Sequence, residues 1–159
     1  MKVYIIGFIL LSLSIFSFAG VKVMDKDKTE QAIMAPINAL FDAMRAHDKD
    51  KILAQFASNA SLQRVEKNNQ VRNSDIAKFA ASIAKSDKYL DEQLLSQTIS
   101  YSGNLASVWT PFVFYIDGKL SHCGVNSFQL IKTTDGWKIH HLMDNGYQGD
   151  CLDFIKQFK

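Results

Sequence analysis

From Leu105 to Tyr147 apolar residues recur at every second position over long stretches, and polar turn residues interrupt them at Asp117-Gly118 and at Thr134-Asp135-Gly136. That pattern predicts three long antiparallel strands in a meander, because Asx-Gly pairs accept the positive φ that tight hairpin turns require. With Asp117-Gly118 as a two-residue loop, Ile116 pairs with Lys119, Val113 with His122 and Trp109 with Asn126. With Thr134-Asp135 at the centre of the second turn, Leu130 pairs with Ile139 and Phe128 with His141. One face then carries Leu105, Trp109, Val113, Tyr115, Leu120, His122, Asn126, Phe128, Leu130, Trp137, Ile139 and His141. The other carries Val108, Phe112, Phe114, Cys123, Val125, Ile131, His140 and Leu142. Both are too apolar to be wholly wet, so each is expected to meet something.

Upstream the period is helical. Ile33, Ile37, Leu40, Phe41 and Met44 share one helix face, Asp27 and Glu30 stand at capping-box spacing, and Pro36 is expected to kink or restart the helix. A shorter helix starts near Asp48, with Ile52, Leu53 and Phe56 apolar. A short hairpin follows, Ala60 to Val65 and Gln70 to Arg72, around the polar turn Glu66 to Asn69. Ser74 then caps a third helix that buries Ile76, Phe79, Ala80 and Ile83, and Glu92 to Tyr101 reads as one further strand. Asp150 to Phe158 fits a last helical turn or two. The order predicts an α+β fold: a curved antiparallel sheet wrapped around three N-terminal helices, a cone with a cavity at its open end.

The N-terminus adds a compartment. Lys2, the apolar run Val3 to Phe16 and Ser17-Phe18-Ala19 have the form of a secretory signal cleaved after residue 19, and the run is short for a membrane span. Residues 20–159 are expected to form a single domain, periplasmic or secreted, with no membrane association after cleavage. The full chain has 18 basic and 16 acidic residues, and losing Lys2 leaves a net charge of +1. That is no electrostatic footprint for nucleic acid.

Export makes Cys123 and Cys151 interesting, since both lie in the mature chain. The register puts Tyr147 opposite His122, and Gly146 and Gly149 let the chain turn back toward Cys123, so a Cys123–Cys151 disulfide is expected. Its alternative is a pair of unlinked thiols, one buried and one loose. A metal site is not expected: His122-Cys123 and His140-His141 each split across the two faces, and the distance from His122 to His141 along the register is about 20 Å. No cofactor is expected either.

The runs Leu40-Phe41-Asp42-Ala43-Met44, Phe56-Ala57-Ser58-Asn59-Ala60 and Asp117-Gly118-Lys119 to Asp144 resemble the nuclear transport factor 2-like superfamily. In particular they resemble its exported bacterial members of the SnoaL-like or lumazine-binding type. Phe128-Gln-Leu-Ile-Lys followed by Asp135-Gly-Trp-Lys-Ile is similar to that family's closing hairpin. The resemblance implies a cone fold and dimerisation through the outer sheet. It implies no one activity, because the superfamily hosts isomerases, hydrolases, dehydratases and non-catalytic binders.

Trp109, Tyr115, His122, Asn126 and Tyr147 are the expected ligand-binding residues, above a floor of Phe128, Leu130, Phe41 and Phe79. An apolar bowl with a few converging polar groups is the general form of a small-molecule site. His122 is the candidate general base. No Asp, Glu or Arg falls on the predicted inward face apart from the turn residues. Asp144 would reach that face only past a bulge, and Arg64, Glu66 and Arg72 are alternative charged donors without a position. The expected function is therefore binding of a small, largely apolar ligand by an exported protein. Its alternatives are an isomerase-, dehydratase- or hydrolase-type enzyme using His122, and a non-catalytic dimeric interaction module. The homodimer is expected through Phe112, Phe114, Val125 and Leu142, the alternative being that the tail residues Leu152, Ile155 and Phe158 fold over part of that face.

Overall fold

The computed structural model describes residues 25–158. The proposed signal segment lies outside them. Helix α1 (Lys26–Arg45) starts at Asp25, whose carboxylate accepts from the Asp27 backbone N–H, so the cap falls two residues before the expected one. The helix is continuous through Pro36. A proline removes one intrahelical hydrogen bond, and here Ile33, Ile37, Leu40, Phe41 and Met44 bury their face on both sides of it. Helix α2 (Lys49–Ala54) is capped by Asp48, and α3 (Ile76–Ala84) by Asp75 rather than Ser74. Each cap carboxylate accepts a backbone N–H of the first turn, at 3.0 Å and 2.8 Å.

Seven strands form one sheet: β1 (Phe56–Val65), β2 (Val71–Ser74), β3 (Leu90–Leu94), β4 (Thr98–Ser102), β5 (Leu105–Ile116), β6 (Lys119–Thr133) and β7 (Gly136–Gly146). The expected single strand from Glu92 to Tyr101 is two, β3 and β4, each pairing with a different length of β5. Spatial order is β2-β1-β7-β6-β5-β3, antiparallel except where β1 runs parallel to β7. The concave face closes over the helices, with Phe128, Leu130, Ile139 and Val108 fully buried against Ile33, Ile37 and Phe41. Phe41 meets the Phe128 ring edge-on at 6.4 Å.

Both hairpin turns fall where the Asx-Gly logic puts them: Ile116 pairs with Lys119 and Leu130 with Ile139. Asp117 and Gly118 take φ of 52° and 74°. The register then departs from strict alternation twice. Ser121 is an extra residue between the pairs Tyr115–Leu120 and Phe114–His122, and His140 is extra between Leu130–Ile139 and Gln129–His141. Each bulge moves the partner strand by one residue, which exchanges its faces. On β6 the predicted inward residues His122, Asn126, Phe128 and Leu130 stand. On β5 the inward set becomes Ala106, Val108, Thr110, Phe112 and Phe114, and on β7 it becomes Trp137, Ile139, Leu142 and Asp144. The patch expected to drive dimerisation is thereby corrected. Phe112 and Leu142 are buried inside and Phe114 packs against the core; of the four, only Val125 faces outward.

A disulfide joins Cys123 to Cys151. It ties helix α4 (Cys151–Lys156), capped by Asp150, to the outer face of β6. There Phe154 is buried with Val113 and Cys123, and Tyr115, Val125, Ile155 and Phe158 pack around them. Gly124 sits at the same crossing, where a β-carbon would collide with the Asn145 carbonyl oxygen of β7.

Candidate functional site

The open end of the cone holds a cavity of about 260 Å³ between α1, α3 and the concave sheet. Its apolar lining comes from Leu40, Phe41 and Met44 of α1, Phe79 and Ile83 of α3, and Leu62, Leu90, Phe114 and Leu142 of the sheet. Five polar side chains converge on it from four strands: Arg64 of β1, Glu92 of β3, His122 and Asn126 of β6, and Asp144 of β7.

Register explains the convergence. Arg64 pairs with Asp144 across the parallel β1–β7 ladder, and Asp144 with Asn126 across β6–β7. Phe114 pairs with both Glu92 and His122. Arg64 donates from Nε to Asp144 Oδ1 and Oδ2 at 2.9 and 3.1 Å, and from Nη2 to Oδ2. This forked bond holds the Arg64 guanidinium pKa above its ordinary value. Asn126, almost fully buried, donates its Nδ2 to Glu92 Oε1 at 2.7 Å.

Glu92 has no such cation of its own. Burial pushes its carboxyl up to about 7, with Asp144 pushing the same way, while the Asn126 hydrogen bond and Arg64 oppose them. Two forces thus compete on one acid, and desolvation wins. His122 goes the other way: burial first, then Arg64, lowers it below the ordinary imidazole value, against a pull from Asp144. Its ring lies 4.9 Å from that of Phe114 and edge-on to Phe112 at 5.8 Å, and its Nδ1 meets Ser121 Oγ at 3.2 Å. Beside Asn126 on the inward face, Thr110 is fully buried with a hydroxyl that has no protein hydrogen-bond partner.

Of the five expected binding residues, His122 and Asn126 line the cavity, and the bulges put the other three outside. Trp109 stands on the convex face, 52% exposed. Tyr115 packs under α4, and Tyr147 covers it with its ring 4.7 Å from Phe154. Phe41 and Phe79 do form part of the lining, whereas Phe128 and Leu130 lie in the core beyond it. The expected lack of an inward charge is corrected by Asp144, which the His140 bulge turns inward, and by Arg64 beside it. Glu92 has no counterpart in the sequence reading. Its only signal is its place in Leu90-Asp-Glu-Gln-Leu, where Leu90 and Leu94 share its face at period two.

A roomier groove, about 780 Å³, runs along α1 beside the β6–β7 turn, lined by Ala32, Ala35, Pro36, Ala39 and Trp137 with lysines at its rim. It is wide open, and none of the converging polar groups reaches it. Chemistry, rather than size, assigns the site to the smaller cavity.

No protein-family model matches this chain, and no curated protein does. Solved structures do. A nuclear transport factor 2-like protein of unknown function from Shewanella baltica aligns with a TM-score of 0.61 at 14% identity, over 79% of this chain and 98% of its own. A nuclear transport factor 2-like protein from Streptomyces avermitilis, with a provisional dehydratase assignment, gives 0.65 at 17% identity, over 79% and 100%. A protein from Novosphingobium aromaticivorans, provisionally an aromatic ring hydroxylase, gives 0.68 at 18% identity, over 79% and 93%. At these identities the likeness shows a fold.

Proposed function

We propose that this chain, whose fold is the nuclear transport factor 2-like cone, is an exported protein that binds a small ligand in the cavity at its open end. The observation that carries the reading is the arrangement of Arg64, Glu92, His122, Asn126 and Asp144 at one part of an otherwise apolar pocket. A cavity of about 260 Å³ lies just below the roughly 300–1,000 Å³ of drug-sized pockets, so the ligand is about one ring in size, with an apolar body and one polar end. Support for export is the form of residues 1–19 together with the Cys123–Cys151 bridge, which fits an oxidising compartment. Among the described residues no helix is long and apolar enough to cross a membrane.

Native mass spectrometry of the protein from its own host tests the reading. A copurified small molecule that is lost in Asn126→Leu supports it, and a molecule retained by that variant refutes it.

Proton-transfer catalysis is the second reading, favoured by one observation. Glu92, with a pKa of about 7, is poised to exchange a proton near neutrality, in the cavity that also holds His122, whose imidazole pKa burial lowers below its ordinary value. Either residue can serve as the base, and the dehydratase assignment of one structural neighbour lies within that class of chemistry. A homodimer through the convex face stays part of the proposal, now resting on Trp109 and Leu105, 52% and 55% exposed on the outer side of β5.

A further inference from the structure

The charges around the cavity do more than mark it. Arg64 is engaged by both oxygens of Asp144, so the pair sums to zero. His122 is held toward its neutral form by burial and by Arg64. Among the described residues lining the cavity, Glu92 is thus the one group whose ionisation has no balancing partner, since Asn126 supplies a hydrogen bond and no charge. Arg45 of α1 is engaged elsewhere: it bonds Asp42 at 2.6 Å and Asp91 at 2.9 Å, and reaches Glu92 only at its backbone carbonyl. From α3 the cavity receives Phe79 and Ile83, which carry no charge. Three benzene rings, Phe41, Phe79 and Phe114, share the lining with Glu92. Ring faces attract cations.

We infer that the cavity selects a cation, a small amine or ammonium compound with an apolar body whose positive end sits beside Glu92 and Asn126. The inference rests on the binding function proposed above and names its ligand class. A cation supplies the counter-charge that Glu92 lacks and is drawn by the rings, which replace part of its hydration shell. A carboxylate or phosphate would instead meet Glu92 and Asp144 with no uncommitted cation among the groups lining the cavity. A neutral ligand gains only what it can hydrogen-bond. Because the amine favours ionised Glu92, its binding below neutrality displaces the Glu92 proton, so its affinity climbs as pH rises toward 8 (roughly tenfold per pH step where Glu92 is mostly protonated).

Benzylamine, benzyl alcohol and benzoate share a ring and differ in the charge at their polar end, which makes them a matched test. Their dissociation constants for the disulfide-intact wild-type protein are read by NMR titration at about pH 6 and about pH 8. Benzylamine is expected to bind at least about fivefold more tightly than the alcohol at the higher pH, with benzoate weakest. The preference for the amine should shrink at the lower pH and disappear in Glu92→Gln. Equal binding of amine and alcohol, or tightest binding of benzoate, overturns the cation inference and leaves the binding site standing. Absence of binding by all three at roughly 10 mM, the range in which so small a fragment is measurable, overturns the inference and counts against the site itself.

Discussion

Replacing Glu92 by Gln keeps the shape of the side chain and an Oε1 acceptor for Asn126 Nδ2, but removes the proton whose affinity the fold has raised. In the unfolded chain that carboxyl titrates at its ordinary value of 4.5; in the folded protein it titrates at about 7. The folded state therefore binds the proton more tightly. The corresponding stability is fully present below about pH 4.5 and is lost as pH rises through about 7. At about 1.4 kcal/mol per tenfold change in proton affinity, the loss amounts to about 3 kcal/mol. This is an upper figure, because residue 92 is only half-buried and water at the cavity softens the penalty. Urea unfolding of wild type and Glu92→Gln with the disulfide intact, at about pH 4.5, 6 and 8, measures it directly. The two proteins should be nearly equal in stability at the lowest pH, and the variant should be more stable by up to about 3 kcal/mol at the highest. A difference that does not change with pH, or a variant that is less stable at about pH 8, refutes the argument that burial dominates at Glu92.

The other predictions touch separate parts of the molecule. Under non-reducing conditions the chain should carry no alkylatable thiol by mass spectrometry, and Cys151→Ser should lose on the order of 3–4 kcal/mol from the opened loop; two free thiols would contradict the bridge. Trp109→Ala should change stability little in the monomer, within about 1 kcal/mol, because half its side chain is already exposed. Phe128→Ala should cost about 3–5 kcal/mol for the hole it leaves, and similar losses at both positions in chemical denaturation would mean the faces of β5 are wrongly drawn. Sedimentation at micromolar concentration should show a wild-type dimer that Trp109→Glu converts to a soluble monomer; a monomeric wild type disposes of the convex-face interface.

The helices and turns were legible because each has a local cause: apolar period for α1, α2 and α3, although the caps of α1 and α3 fell two and one residues from the expected ones, and an Asx-Gly pair at the β5–β6 loop. The inward face of β6 and the partner of Cys123 were legible too, since both depend on the turns more than on what lies beyond them. The bulges were not. Nothing in Leu120-Ser-His or Ile139-His-His announces an extra residue, and β5 is apolar on both faces, so alternation offers no check on its register. Each slip exchanged a strand's faces, which sent Trp109 and Tyr115 outward and brought Phe112, Phe114 and Asp144 inward. Glu92 was hidden for another reason. Its environment is made by β1, β6 and β7, all distant in sequence, and a charged residue in a short strand otherwise reads as solvent-facing.

The central claim is that the cone cavity, and neither the groove along α1 nor the convex face, is where a small molecule binds. Backbone amide NMR of the isotopically labelled protein during a fragment screen tests it most directly. The account predicts that hits shift the amides of Leu90 to Leu94, His122 to Asn126 and Leu142 to Asp144, and that these shifts vanish in Asn126→Leu. Hits that instead perturb Ala32 to Ala39 and Trp137, or Leu105 to Trp109 on the outer face, would place the site elsewhere and contradict the account.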